Sequence, residues 1–321
     1  GKTEKEIEDA LKSDISCFNA ESTQELQMIS LVALRLNKKA KVALRINPNI
    51  DAESHPYIST GLKQHKFGID AEHALEAFKF AASLPNMEVT GLHAHIGSQI
   101  TKVEPFVEAS RFIAETVKRA RESGVMISHI DVGGGFGTQY VNAIAHEALP
   151  KETSENSVVP AAAEYLQAMV PVLRETGCTI WLEPGRSITA DAGVLLTKVL
   201  YIKENGKKKF VVVDAGMNDL LRPSLYNAYH QIVPIKIGTY EHEQVDVVGP
   251  VCETGDFFAR DRLLSKVNQH EYLSILTAGA YGFVNASNYN ARLRPAEILV
   301  NGDRVRVIRP RETLEQLGGA L

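Results

Sequence analysis

The chain has 321 residues, 44% of them hydrophobic, a net charge of -4 and three cysteines. That length suits two domains, or one large barrel with an appendage, and the composition can bury a sizeable core. The mild acidity argues against nucleic acid as a main partner, and the odd, widely spaced Cys17, Cys178 and Cys252 argue against a disulfide framework. No signal-peptide pattern and no bilayer-length apolar run is present, so the chain reads as soluble and cytoplasmic, with no membrane partner.

Taken in order, the chain opens with Thr3 as a helix N-cap and Glu6 three residues on. Residues 15–19 read as a short strand, and Ser22 caps a helix to about residue 36. Residues 41–46 are a strand ended by Asn47-Pro48-Asn49, and 51–68 are a polar loop. A helix over 71–84 carries Ala74, Leu75, Phe78 and Ala81 at helical spacing. A strand at 89–96, a helix at 104–123, a strand at 127–132, a loop or flap at 138–157, a helix at 161–176 and a strand at 179–182 follow. This alternation predicts five β/α units with a parallel sheet. After residue 186 the pattern changes to Val- and Ile-rich strands at 193–204, 208–214, 231–236, 243–249, 271–277 and 303–309, with little helix between. The expected division is a β/α barrel domain over 1–186 and an all-β domain over 187–321. The run Lys207-Lys208-Lys209 reads as a solvated turn.

Polar residues gather where the predicted parallel strands end. His93-Ala94-His95-Ile96-Gly97-Ser98 closes one, Asp131-Val132-Gly133-Gly134-Gly135-Phe136-Gly137 the next, and Glu183-Pro184-Gly185-Arg186 the third. Strand C-termini build the active site of a (β/α)8 barrel. Three consecutive glycines offer bare backbone N–H groups to an anion, with a phosphate as the expected guest. An ordinary glycine-rich turn is the plainer reading of the triplet alone. Together the three ends can hold a phosphate (Ser98, Gly135, Gly185), stack on a ring (His95) and offer a carboxylate to a ring nitrogen (Glu183). His93 and His95 as core residues, and Glu183 paired with Arg186, are the plainer readings of the parts. In the β domain three segments stand out: Met217 to Tyr226, Cys252-Glu253-Thr254-Gly255-Asp256, and Gly279-Ala280-Tyr281-Gly282.

These motifs resemble those of the diaminopimelate decarboxylases, pyridoxal-phosphate enzymes of the alanine-racemase-like barrel type. The resemblance spans essentially the whole chain; Thr254 stands where that family usually has serine. It implies a (β/α)8 barrel followed by an all-β domain, and decarboxylation of meso-2,6-diaminopimelate to L-lysine in lysine biosynthesis. It implies that His95, Ser98, Gly134, Gly135, Glu183, Pro184, Gly185, Arg186 and Tyr281 hold pyridoxal 5'-phosphate. Arg186, Arg222, Tyr226, Glu253 and Tyr281 are then substrate-binding, and Cys252 is the proton donor at a site shared across a homodimer. No metal is implied.

The family's Schiff-base lysine, in a Tyr-Ala-x-Lys-Ala-Asn type motif on the first barrel strand, has no counterpart here. Lys41 precedes a segment that matches a later strand. The visible units correspond to the fourth to eighth, so the expectation is a fragment that is inactive and poorly stable unless the missing strands are supplied. An ornithine or arginine decarboxylase would share fold and cofactor. A metal-dependent barrel hydrolase using His93 and His95, and a cofactor-free binding homologue, are the readings from other classes.

Overall fold

Local capping rules set the first elements of the computed structural model, which describes residues 1–52, 60–61, 66–151, 158–236 and 241–319. Helix α1 (Glu4–Lys12) starts in the expected capping box, with Thr3 and Glu6 bonding each other's backbone N–H. Ser22 accepts from the Glu25 N–H to start α2 (Thr23–Arg35). The polar loop at 51–68 and the end of the 138–157 segment lie partly outside the described residues.

The contacts divide the chain into two units, Gly1–Gly137 with Val158–Ser187, and Thr138–Ser157 with Ile188–Leu321. The sequence reading ran the first domain unbroken over 1–186, whereas Thr138–Ser157 groups with the second unit.

In the first unit, β1 (Phe18–Ala20), β2 (Ala40–Asn47), β3 (Ile69–Asp70), β4 (Met87–His93), β5 (His129–Asp131) and β6 (Thr179–Trp181) form one parallel sheet. Its order is β1-β2-β4-β5-β6, with β3 beside β2. The helices α2, α3 (Ala74–Ser83), α4 (Glu104–Glu122) and α5 (Ala162–Arg174) connect these strands. This is the five-unit β/α array expected.

Strand alternation sorts the residues. Leu44, Leu92 and Ile130 join the helix-packed core. The alternate positions are mostly polar: Arg45, His93, Asp131 and the aromatic Trp181 share one row of the register. On that face His129 stacks on Trp181 with ring centroids 4.1 Å apart. Gly91 makes room for it, since a Cβ there would sit 2.2 Å from His129 Nε2. Helix α4 buries Phe106, Ala109, Ile113, Val117 and Ala120 at helical spacing. Phe106 meets Phe136 and Tyr165 at 5.1 Å each, and the Tyr165 hydroxyl donates to the Ile100 carbonyl at 2.7 Å. The aromatic residue of the glycine-rich segment is thus its anchor into the core.

Short helices α6 (Arg186–Thr189) and α7 (Arg222–Tyr226) precede and interrupt the strands of the second unit. Its sheet runs β11-β10-β8-β7-β12-β9, from β7 (Leu195–Asn205), β8 (Lys208–Val213), β9 (Ile232–Pro234), β10 (His242–Val248), β11 (Phe257–Ser265) and β12 (Tyr272–Ile275). A hairpin of β13 (Glu297–Asn301) and β14 (Arg304–Arg309) and a last helix α8 (Leu314–Gly318) complete it. Strand β11 escaped the sequence reading. Its Arg260-Asp261-Arg262 centre masks the apolar ends, and Asp261 has a positive φ of 46° where the pairing with β10 shifts register. The hairpin partner β13 was also missed.

Phe136→Ala should destabilise the first unit by about 3–5 kcal/mol, and Tyr165→Phe by about 1 kcal/mol, in urea unfolding. The second cost is small because the Ile100 carbonyl keeps the Gly137 N–H. Equal losses would contradict this packing.

Candidate active site

Three strand ends of the first unit meet at the glycine triplet. Gly133 and Gly135 have φ of +68° and +102°, and no side chain fits at any of the three positions. A Cβ on Gly133 would lie 2.4 Å from His95 Nδ1, on Gly134 2.2 Å from the Glu183 carbonyl, and on Gly135 2.3 Å from the Gly97 carbonyl. Backbone hydrogen bonds lock this meeting: Ala94 N–H to Asp131 O, Glu183 N–H to Gly133 O and Ile100 N–H to Gly135 O, all at 2.9–3.0 Å.

The expected fan of free N–H groups needs correction. The Gly133 N–H donates to Asp131 Oδ1 at 2.9 Å, and the Gly134 N–H donates to His95 Nδ1 at 3.1 Å. Glycine's short reach has turned these donors onto neighbouring side chains. Strand β4 also stops at His93, so His95 lies beyond the strand and does not extend its alternation.

His95 is set up as a flat neutral ring. Burial, reinforced by Arg45, pushes its pKa down to about 4. The Gly134 amide needs a lone pair on Nδ1, so the proton of the neutral ring resides on Nε2. His93 is buried and likewise lowered to about 4, chiefly by burial and against the pull of Asp131. Its Nε2 lies 3.6 Å from a Glu183 oxygen, and neither ring nitrogen has a hydrogen-bond partner among the described residues. The Glu183 carboxyl is raised above the usual range by burial first and then by Asp131. Asn19 bridges the two acids, at 3.1 Å to Asp131 and 3.4 Å to Glu183. The carboxyl thus favours a partner that brings a proton or positive charge.

On the other side of the triplet, Arg186 is buried and donates to the Ser98 hydroxyl through Nη2 at 2.9 Å and Nε at 3.3 Å. Arg186 thus bonds Ser98, whereas the plainer reading from sequence set it against Glu183. Gly97 carries its carbonyl against Gly135, so Ser98, Gly135 and Arg186 lie together. Pro184 and Gly185 are exposed between Glu183 and α6.

These residues fit pyridoxal phosphate. A neutral imidazole of fixed orientation suits the face of the pyridine, and a carboxyl crowded by a second acid suits the protonated ring nitrogen. A guanidinium–hydroxyl pair beside side-chain-free backbone suits the phosphate. Asp131, Asn19 and Glu183 act as one cluster, yet sequence reading singled out Glu183 alone. His93, Asp131 and Glu183 also bring potential ligand atoms within 4.8 Å of one another, a different set from the His93–His95 pair considered for a metal.

The second unit holds its own group. Buried Asp256 accepts the N–H of Met217 and of Val251, both at 2.6 Å. That clamp closes the turn bearing Cys252 and Glu253 onto the Met217 segment, and Ser224 on α7 adds a hydrogen bond to the Gly255 carbonyl. Cys252 is a free, exposed thiol. Glu253 is bonded by the Tyr289 hydroxyl, a contact that no motif announced. Arg222 is buried, 2.8 Å from His230 Nε2 and 4.5 Å over the Tyr140 ring. Tyr226 ends α7, and Tyr281 is exposed at a positive φ of 58°.

Fold and site define a pyridoxal-phosphate enzyme of the barrel decarboxylase class. The family model described as "Pyridoxal-dependent decarboxylase, pyridoxal binding domain" matches residues 1–190. The diaminopimelate decarboxylase of Aquifex aeolicus is 44% identical over 317 residues, 99% of this chain and 72% of that protein. That of Neisseria meningitidis serogroup A is 46% identical over 316 residues, 98% of this chain and 74% of that protein. A crystal structure of the Helicobacter pylori diaminopimelate decarboxylase complexed with L-lysine superposes with a TM-score of 0.90 at 45% identity, covering 99% of this chain and 76% of that one. The chain belongs to the diaminopimelate decarboxylase family of pyridoxal-dependent decarboxylases. No helix among the described residues is long and apolar enough to cross a membrane.

Stability should report the neutral histidine. A base whose folded pKa is depressed binds its proton more readily when unfolded, so stability falls as pH drops from about 6.5 toward 4. His95→Phe should flatten that part of the pH–stability curve in the cofactor-free protein, measured by urea unfolding at pH 4.5 and pH 7. An unchanged slope would show that His95 is not the buried neutral group.

Proposed function

We propose that this chain decarboxylates meso-2,6-diaminopimelate to L-lysine and CO2 with pyridoxal phosphate, the last step of lysine biosynthesis in the cytoplasm. The observation that carries the substrate is the buried guanidinium of Arg222. Its fork suits a distal carboxylate, which ornithine and arginine do not have.

Pyridoxal phosphate supplies a sink for the electron pair left on the α-carbon when CO2 departs. His95 covers the ring face, and Glu183 keeps the proton on the ring nitrogen, which strengthens that sink. Ser98, Gly135 and the Gly185 and Arg186 amides hold the phosphate end, Gly134 and Pro184 line the cofactor without donating to it, and Tyr281 contacts the cofactor. Arg186, Arg222, Tyr226, Glu253 and Tyr281 bind the substrate, with Glu253 opposite its distal ammonium. Cys252 Sγ donates the proton that the α-carbon takes up after CO2 has left. It does so in the partner subunit's site of a homodimer, a role suited to an exposed thiol on a clamped turn.

The 321 residues contain no Tyr-Ala-x-Lys-Ala-Asn type segment. Supplied with such a segment, they should decarboxylate diaminopimelate faster than ornithine or arginine; faster turnover of ornithine would refute the substrate assignment. In that active protein Arg222→Ala should cost about 1.5–3 kcal/mol in kcat/KM.

The shared site predicts complementation. Cys252→Ala should slow product formation by about 10²–10⁴-fold with cofactor binding retained. Mixed with a variant lacking the cofactor-binding lysine, it should regain activity through heterodimers with one intact site. Subunit exchange, verified by mass spectrometry, without returning activity would sink the trans assignment, and a fully active Cys252→Ala would sink the thiol as donor.

A further inference from the structure

Arg222 is held on two sides by residues to which no role has yet been given. The His230 side chain is fully buried, and its Nδ1 lies 2.8 Å from the Leu276 carbonyl. A carbonyl oxygen can only accept, so the proton resides on Nδ1. Nε2 then presents a lone pair, and Arg222 Nη1 donates to it at 2.8 Å. Across from this bond the guanidinium carbon stands 4.5 Å from the centroid of the Tyr140 ring. Tyr140 is buried and also meets the His230 ring edge-on at 5.1 Å. Carbonyl, imidazole, guanidinium and phenol ring form one relay in which each member fixes the next.

Tyr140 is fastened as well. It lies on the segment Thr138–Ser157 that groups with the second unit. The Gln231 side-chain amide, next to His230, bonds the Ile144 backbone twice, accepting its N–H at 2.9 Å and donating to its carbonyl at 3.1 Å. Further along, the Ala148 carbonyl accepts from Ser265 Oγ at 3.3 Å and lies 3.1 Å from His242 Nε2. The described part of the segment expected to be a loop or flap, residues 138–151, is a strap across the second unit, and Tyr140 is its contact with the arginine.

The geometry points to His230 and Tyr140 as positioning residues that set the orientation of Arg222 for the distal carboxylate of the substrate. This rests on the carboxylate-binding role proposed for Arg222. A guanidinium held at one edge by a neutral imidazole and on one face by an aromatic ring keeps its other donors aimed in one direction. The relay thereby decides between ligands with and without a distal carboxylate and leaves the chemistry at the α-carbon alone. His230 and Tyr140 are specificity determinants acting through Arg222.

The test is calorimetric binding of two ligands to the cofactor-loaded protein. Lysine retains the carboxylate of the distal centre, and 1,5-diaminopentane lacks it. In His230→Leu the affinity for lysine should fall roughly tenfold to a hundredfold, the worth of a well-aimed charge-assisted hydrogen bond, while 1,5-diaminopentane binding stays as in the wild type. His230→Gln places an acceptor near Nε2 and should restore most of the lysine affinity. Tyr140→Leu should show the same selective loss, and decides the matter should His230→Leu not fold. An equal weakening of both ligands, or unchanged lysine affinity in both Leu variants, would overturn the inference. Should the wild type bind both ligands equally well, the carboxylate role of Arg222 falls first, and the inference with it.

Discussion

One amide proton organises the first unit: the hydrogen of Gly134 N, shared with His95 Nδ1. For that bond to form, the ends of three adjacent strands must come within van der Waals contact of each other, and only residues without a side chain permit it. A methyl group at any of the three glycines would strike the His95 ring, the Glu183 carbonyl or the Gly97 carbonyl. The three positions therefore act together, and the strain of two positive φ angles is absorbed by glycine at little cost. Phe136, stacked on Phe106 in the core, fixes the far side of the turn. Loop geometry at the site is a consequence of packing, and the ring orientation of His95 is a consequence of the loop.

Burial then sorts the titratable groups into roles. Both histidines are pushed toward the neutral form, and the Glu183 carboxyl is pushed toward the protonated form by burial and by Asp131. In water none of these shifts would occur: the histidines would take up a proton just below neutrality and the carboxyl would be fully ionised. A pyridine nitrogen entering beside Glu183 meets a carboxyl that already favours sharing a proton. A ring lying over the His95 imidazole would meet no charge opposing its own. The second acid, which would be a liability in an isolated pair, makes Glu183 a better partner for a cationic ring.

The large features of this arrangement were legible in the sequence because they are local. Period, capping and glycine spacing are written within a few residues, and they place the parallel strands, α2, α4 and the three motif-bearing strand ends. What could not be read is non-local. Asn19 reaches Asp131 across 112 residues and Glu183 across 164, and nothing near Asn19 marks it. Asp131 looked like part of a glycine motif, yet its side chain is what turns the Gly133 amide inward. Tyr289 meets Glu253 from a loop without a motif. Strand β11 was lost for the opposite reason: its local pattern, with Arg260-Asp261-Arg262 at the centre, argues against the strand that pairing with β10 enforces. Arg222 stood out by motif, whereas the neighbours that hold it did not.

The strap carries this argument to the order of assembly. Thr138–Ser157 follows the glycine turn directly in sequence, yet its partners lie far along the chain: Ile144 and Gln231 are 87 residues apart, Ala148 and Ser265 are 117 apart. Loop closure must be met before such contacts contribute any stability, so they form after the strands they cross. Until then Tyr140 has no guanidinium to face, and Arg222 lacks its aromatic face. Arg222 thus reaches its final setting only when the strap has closed within the second unit. It is therefore a group proposed to bind substrate whose geometry depends on contacts this distant in sequence.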